Sequence, residues 1–132
     1  MPFVPAADAA NARLTRIPDD RLDGRTALHR QPLIASPASR LVLLEMPPGF
    51  ATIPHRHPGA GESFYIVTGS GRFTIGDEHF EVAPGDLLFA AVDEVHAIEA
   101  GTEGLRFLAG VAPNEDRLDE EVLIPPTGGA TT

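Results

Sequence analysis

Three histidines and one glutamate stand at spacings that could assemble a metal site. His55 and His57 are separated by one residue, Glu62 follows them, and His96 lies beyond a second block of strand and turn residues. Residues i and i+2 of a strand point to the same face, so His55 and His57 are expected to project together into one cavity. Imidazole and carboxylate groups together suit divalent first-row metals such as iron, manganese, nickel, zinc or copper. The spacing therefore predicts one divalent transition metal as the cofactor.

Composition leaves few other kinds of chemistry. The chain of 132 residues has no cysteine, and all ten of its basic residues are arginine. Disulfides, thiolate nucleophiles, thiolate metal sites and lysine Schiff bases are thereby excluded. The serines lie in no nucleophile elbow, and no glycine-rich phosphate-binding motif occurs. What remains is chemistry by histidine, carboxylate, the single Tyr65 and metal.

Charge and hydropathy indicate which partners to expect. The formal net charge of −9 argues against nucleic acid, whose phosphates need a basic surface. No apolar run approaches the ~20 residues that cross a bilayer, so no membrane association is expected. The first residues lack both a basic region and a long apolar run, which predicts a cytoplasmic protein. The expected partner of the metal site is a small-molecule ligand.

Short β-strands are the elements that must position these residues. Residues 1–25 show little periodicity and predict an irregular N-terminal arm, whereas residues 125–132 predict a disordered tail. Residues 26–124 carry short apolar runs punctuated by Gly and Pro, which are typical of an antiparallel sandwich or barrel. The expected strands are 27–33, 40–46, 51–57, 63–68, 72–75, 79–82, 86–90, 95–99 and 105–111.

Turns rich in glycine are expected to separate these strands. Residues 68–71 and Gly76-Asp77 are predicted to bracket a tight hairpin, because glycine supplies the positive φ that such turns require. Pro84-Gly85 forms a reverse-turn pair that leads into the next strand. The pattern contains no internal repeat and no second domain.

The residues around the first two histidines resemble the first motif of the cupin superfamily. Gly49, His55, His57, Glu62 and Gly69 occupy every fixed position of G-x5-H-x-H-x4-E-x6-G. The match is specific, because it fixes several residue types at defined spacings. The resemblance implies an all-β fold, a small double-stranded β-helix (jelly-roll) barrel with a metal at its wider mouth.

The residues around His96 resemble the second cupin motif in part. Gly85 and His96 fit G-x5-P-x-G-x2-H-x3-N, whereas Ala91, Asp93 and Ala100 replace its proline, second glycine and asparagine. Those three positions shape the turn before the last ligand and support the strand after it. The two motifs together imply four metal ligands, His55, His57, Glu62 and His96.

Strand alternation also predicts what surrounds the ligands. Arg56 and Tyr65 alternate away from them, and His29 and His79 are interpreted as surface or core histidines. An inward arginine could clamp a carboxylate or phosphate, and the pattern leaves open whether any of Arg40, Arg72 and Arg106 does so. Four apolar residues share faces with the ligands and are predicted to line a small-molecule pocket or to form barrel core: Ile53, Phe64, Ile66 and Ile98.

These residues are compatible with three functions. Three imidazoles and one carboxylate would leave two octahedral positions open, which is typical of catalytic metal sites. The ligand set favours a metal-dependent small-molecule enzyme, and its suitability for iron favours a non-haem iron dioxygenase. The enzyme could instead be a redox-neutral isomerase, cyclase, decarboxylase or lyase acting on an oxygenated molecule, with Glu62, Asp93 or Glu94 as a base. The third function is a non-enzymatic protein that binds a small ligand.

The N-terminal arm predicts a homodimer. It is long for a segment that has no core of its own. Phe3 and Val4 are expected to add an edge strand to the partner, which would cover an exposed sheet edge.

Overall fold

The apolar runs form one antiparallel sheet. The computed structural model describes residues 14–17, 27–114 and 122–123, and within these ranges every regular element is a β-strand. Branched and aromatic side chains favour this state because they fit a pleated, half-buried surface. The strands are β1 His29–Ala35, β2 Arg40–Met46, β3 His55–Arg56, β4 Gly61–Ile75, β5 Glu78–Val82, β6 Leu87–Ala90, β7 His96–Ala112 and β8 Val122–Leu123.

Strand β7 connects the parts of the sheet. It pairs with β2, where Leu43 lies opposite Leu108, and it pairs with β4 along most of its length. Its first residue, His96, lies opposite His55 of β3. Strand β1 extends the sheet beyond β2, β8 extends it beyond β3, and β5 and β6 both pair with β4. Every pairing is antiparallel, as the double-stranded β-helix requires.

Strands β4 and β7 are longer than the sequence predicts, and the turn predicted at residues 68–71 is wrong. The pairing of β4 with β7 instead shifts register around Gly69, whose φ is 93°. A Cβ atom on Gly69 would lie 2.1 Å from the carbonyl oxygen of Gly104. The missing side chain therefore lets the two strands approach and bend without ending. Strand β4 merges the predicted strands 63–68 and 72–75, and β7 merges 95–99 and 105–111.

The other predicted turns are confirmed. Gly76-Asp77 joins β4 to β5, and Pro84-Gly85 lies in the connection between β5 and β6. The strand predicted over residues 51–57 is wrong in length, because only His55–Arg56 forms a strand there. Ala51 contributes an isolated bridge to Glu99 instead.

Three phenylalanines form the centre of the core. Phe64, Phe73 and Phe107 are buried, and their ring centroids lie 5.0 to 6.0 Å apart in edge-on arrangements. Each such aromatic pair contributes about 0.5–1.5 kcal/mol beyond the burial of its area. The ring centroid of Phe64 also lies 5.8 Å from that of His96. The core therefore supports one of the candidate ligands directly.

Several predictions for the chain ends fall outside the described residues. Of the predicted arm, residues 1–25, only 14–17 are described, and these form neither helix nor strand. The tail at 125–132 and the edge strand at Phe3 and Val4 are not among the described residues, so the homodimer stays a prediction. In the described part of the chain there is no helix long and apolar enough to span a bilayer.

Candidate metal centre

Three strands bring the four candidate ligands together. His55 lies on β3, His57 directly follows that strand, Glu62 is the second residue of β4, and His96 is the first residue of β7. The β3–β7 register places His55 directly opposite His96. His96 is therefore brought to the other three residues by sheet pairing and not by proximity in the chain.

The donor atoms of the four residues form a compact group. One ligand atom from each of His55, His57, Glu62 and His96 lies within 4.8 Å of all the others. The Oε1 atom of Glu62 is 3.2 Å from Nε2 of His57 and 3.1 Å from Nε2 of His96. His57, Glu62 and His96 are buried, whereas His55 is half-buried. The group thus has one partly accessible side, at His55.

Backbone carbonyl groups orient two of the imidazoles. Nδ1 of His55 lies 2.8 Å from the oxygen of Ile53, and Nδ1 of His96 lies 3.0 Å from the oxygen of Glu94. A carbonyl oxygen can only accept, so Nδ1 carries the hydrogen and donates it in both rings. The remaining nitrogen, Nε2, is then available to a metal, as is usual for histidine ligands held by a carbonyl group.

The contact between His96 and Glu62 requires a positive charge beside the two side chains. With Nδ1 of His96 donating to a carbonyl group, Nε2 of a neutral imidazole is an acceptor. That nitrogen lies 3.1 Å from Oε1 of Glu62, which is also an acceptor. Two acceptors at this distance repel each other unless a cation lies with them, either a proton on the ring or a metal ion. The donor set therefore fits a divalent metal.

Glu62 is held in its charged form. Burial raises the pKa of the carboxyl group, but when the rings of His57 and His96 are protonated, their hydrogen bonds and positive charge together outweigh burial. The pKa of Glu62 falls from 4.5 to about 2 as a result. At neutral pH the carboxylate is ionised, so no proton competes with a metal for it.

The four residues predicted to line a pocket lie in two different environments. Phe64, Ile66 and Ile98 belong to the buried core cluster, and the Phe64 ring lies against His96. Ile53 is 51% exposed and contributes its carbonyl oxygen to His55. The Phe64 ring is thus an apolar neighbour of the group on the side of His96, and pocket lining by all four residues remains a prediction.

The remaining arginines and histidines singled out in the sequence lie elsewhere. Arg106 alternates with Leu105 and Phe107 of the core, so it faces the opposite side of the sheet, where it is buried. His29 lies 3.9 Å from Glu45, and His79 is exposed. The arginine partners are Asn114 for Arg40, Glu81 for Arg72 and Glu45 for Arg106.

Two features of the centre were not predicted from the sequence. Arg56, between the two histidines, forms an ion pair with Asp93, in the turn before His96. The signal that could have indicated it was Asp93 itself, an ionisable residue at the glycine position of the second motif. The carbonyl groups that orient the imidazoles carried no signal, because backbone groups are the same at every position.

Two curated relatives share about half of the chain. An oxalate-binding protein of Thermotoga maritima is 36% identical over 67 residues, 50% of this chain and 55% of the relative. The dimethylsulfoniopropionate lyase DddW of Ruegeria pomeroyi is 40% identical over 73 residues, 54% of this chain and 47% of the relative. The chain thus spans about half the length of these two relatives.

A solved structure shows the same fold over nearly the whole chain. It is an uncharacterized conserved protein with a double-stranded β-helix domain from Klebsiella pneumoniae, matched with a TM-score of 0.66 at 18% identity. The match covers 94% of this chain and 97% of that one. The likeness confirms the predicted double-stranded β-helix.

The cupin domain family matches this chain over residues 42–111. That range is more than half of the 132 residues. It includes all four candidate ligands, which lie between His55 and His96. The chain therefore belongs to the cupin family.

Proposed function

We propose that this cupin binds one divalent transition metal and uses it to act on a small carboxylate-bearing molecule without net oxidation. The observation that carries the proposal is the convergence of four donor atoms within 4.8 Å of one another. The proposed ligands are His55, His57, Glu62 and His96.

The charge of such a site favours an anionic ligand. Three neutral imidazoles add no charge, and the ionised Glu62 adds one negative charge to the two positive charges of the metal. The sum is a net positive charge near the buried Phe64 ring, where electrostatic attraction is stronger than in water. A carboxylate supplies both the compensating charge and the oxygen ligands that imidazole-rich divalent metal sites accept.

The two curated relatives support the same chemical class. One relative is named for oxalate and the other for dimethylsulfoniopropionate, and both molecules carry a carboxylate. One name describes binding and the other a lyase, and a lyase breaks a bond without consuming oxygen. These relatives favour redox-neutral chemistry over an oxygenase.

Some residues of the chain would bind the metal, and others would orient the metal ligands. His55 and His96 are oriented by the carbonyl groups of Ile53 and Glu94, and Phe64 excludes water on the side of His96. When bound, a divalent metal would supply Lewis acidity that polarises a substrate oxygen. A pKa of about 2 makes Glu62 a weak base, which supports its role as a ligand rather than as the proton acceptor.

Two other functions use the same four residues. A non-haem iron dioxygenase would hold ferrous iron there, and a histidine and carboxylate set suits that metal. A protein that binds a small carboxylate without turnover is favoured by the relative named as oxalate-binding. Oxygen consumption separates the first from our proposal, and product formation separates the second.

The test starts with metal-free protein loaded with Fe²⁺, Mn²⁺, Ni²⁺ or Zn²⁺ and examined by elemental analysis and calorimetry with oxalate. We expect one metal per chain, oxalate binding only to the loaded protein, and no oxygen uptake in an oxygen electrode. His57→Ala should lose both metal and oxalate, whereas His79→Ala, a change at an exposed histidine outside the group, should keep both. Metal binding without oxalate binding would overturn the carboxylate assignment, and substrate-dependent oxygen uptake would favour the dioxygenase.

A further inference from the structure

Asp93 holds a backbone conformation that L-residues rarely adopt. Among the described residues it is the one non-glycine residue with a positive φ, at 67°. It stands where the second cupin motif has glycine, the residue that adopts this conformation without strain. Strain of this kind persists only where surrounding contacts hold it, and it is concentrated at functional sites. The contacts of Asp93 therefore indicate what it does.

Two contacts tie Asp93 to the segment that carries the first two candidate ligands. Its backbone N–H donates to the carbonyl oxygen of His57, with a nitrogen–oxygen distance of 2.9 Å. Its carboxylate accepts a hydrogen bond from, and forms an ion pair with, the guanidinium group of Arg56. Because Arg56 lies between His55 and His57, both contacts act on the same short segment, 55–57.

The turn that contains Asp93 also orients the last candidate ligand. The N–H of Glu94 donates to the oxygen of Ala91 over 3.0 Å, and the Glu94 side chain accepts from the N–H of Ala91 over 3.0 Å. This closed turn presents the carbonyl oxygen of Glu94, which accepts from Nδ1 of His96. The position of the turn therefore sets the direction of the His96 ring.

We propose that Arg56 and Asp93 are positioning residues that lock the His55–His57 segment to the turn that orients His96. The proposal rests on the metal site proposed above and adds two residues that contact no metal. In this chain Asp93, at the glycine position, would lose the conformational freedom of glycine but would gain an ion pair that connects the two ligand-bearing segments. The Arg56–Asp93 contact would fix the distance between the His55–His57 segment and His96, which the sheet register alone defines less closely.

The same contacts argue against the alternative role of Asp93 and Glu94 as bases at the rim. The Asp93 carboxylate is engaged by Arg56, and the Glu94 carboxylate accepts from the backbone of Ala91. The Arg56 and Asp93 side chains are 33% and 55% exposed, so the ion pair contributes little to global stability. Its effect should therefore appear in metal affinity rather than in the unfolding temperature.

The test compares Arg56→Gln, Asp93→Gly and the double variant with a matched control. Asp93→Gly keeps the left-handed turn and removes the carboxylate, while Arg56→Gln keeps Asp93 and removes the cation. The control is Arg72→Gln, which breaks an exposed arginine–carboxylate pair between β4 and β5, where Nε of Arg72 lies 2.6 Å from Glu81. Three quantities are measured: the Kd for Co²⁺, the visible spectrum of bound Co²⁺, and the hydrogen exchange of the Asp93 amide in metal-free Arg56→Gln and Arg72→Gln.

We expect each single variant to weaken Co²⁺ binding by roughly three- to tenfold and to alter the Co²⁺ spectrum, with an unchanged unfolding temperature. The double variant should lose no more than either single variant, because both changes break one contact. Arg56→Lys, which keeps the charge, should restore part of the affinity. The hydrogen-exchange rate of the Asp93 amide should be several-fold higher in Arg56→Gln than in the wild type. In Arg72→Gln it should equal the wild-type rate.

Wild-type Co²⁺ affinity and unchanged amide exchange in Arg56→Gln would overturn the lock. Equal losses in Arg72→Gln would overturn it as well, because the effect would then be one of net charge. If the wild-type protein binds no Co²⁺, the proposed function fails, and the lock is decided by amide exchange in the metal-free protein. Faster exchange of the Asp93 amide then supports the proposed connection between the two segments, and unchanged exchange contradicts it.

Discussion

His55 and His96 lie directly opposite each other across β3 and β7, with their ring centroids 4.3 Å apart. Strand β3 is two residues long, so its position depends on the strands on either side of it, β7 and β8. Gly104, with a φ of 75°, separates the part of β7 that pairs with the core strand β2 from its first residue, His96, which pairs with β3. The position of His96 in the candidate centre therefore depends on the pairing of β7 with both β2 and β3.

Replacing His57 with alanine should empty the site while preserving the fold. His57 is buried and contacts Glu62, but the core is formed by the aromatic and aliphatic residues of β2, β4 and β7. We expect metal stoichiometry to fall from one to near zero, and the free energy of unfolding of the metal-free protein to fall by no more than about 2 kcal/mol. Elemental analysis and urea unfolding measure the two effects. A His57→Ala protein that retains one metal per chain would remove His57 from the ligand set.

Metal affinity should decrease in acid. A histidine binds metal only as the neutral imidazole, and free histidine gains its proton near pH ~6.5. Three imidazoles in the proposed set imply that the Kd for a divalent metal rises steeply between neutral pH and pH ~5. Competition with a chelator of known pH dependence measures this directly. An affinity that stays constant over that range would contradict ligation by histidine.

The metal-free protein should lose stability in acid through Glu62. The pKa of this group is about 2 in the folded protein against 4.5 ordinarily, so its contribution is present above pH 4.5. It is lost as the pH falls from 4.5 towards 2, because the folded state must then take up the proton against its two imidazole neighbours. The full effect is at most about 3 kcal/mol.

Urea unfolding in the presence of a chelator tests this contribution at pH 6 and pH 3. The wild-type protein should lose more stability between these values than Glu62→Gln, whose side chain does not titrate. Glu81→Gln, a change in an exposed carboxylate paired with Arg72, provides the matched control and should follow the wild type. Equal pH dependence of the wild type and Glu62→Gln would show that the buried carboxylate is not preferentially charged in the fold.

The sequence predicts the candidate site better than it predicts the strands. The i, i+2 spacing of His55 and His57 is a local pattern that places two side chains on one side of an extended segment, and it does not depend on which strands pair. The number of strands was overestimated because a glycine with positive φ looks the same in a turn and in a bulge. Only the pairing of β4 with β7 shows that Gly69 bends a continuous strand.

The direction of the arginines also depends on pairing. Arg106 faces away from the core because Leu105 and Phe107 face towards it, and its partner Glu45 is set by the β2–β7 register. Neither residue carries this information alone. The partner of Arg56 is Asp93, which lies far along the chain in the turn before His96, so local sequence patterns do not predict this ion pair.

Replacing Gly69 with alanine should destabilise the protein more than the same change at Gly85. Both residues have a positive φ, 93° and 96°, so the backbone strain of an L-residue is similar, about 1–2 kcal/mol. A Cβ atom at Gly69 would also lie 2.1 Å from the Gly104 oxygen, whereas nothing lies within 4 Å of one at Gly85. We expect Gly85→Ala to lose about 1–2 kcal/mol and Gly69→Ala at least about 3 kcal/mol, because β4 and β7 must separate to admit the methyl group. Urea unfolding of the metal-free proteins measures the difference, and equal losses at the two positions would show that the close approach of the strands is not required for the fold.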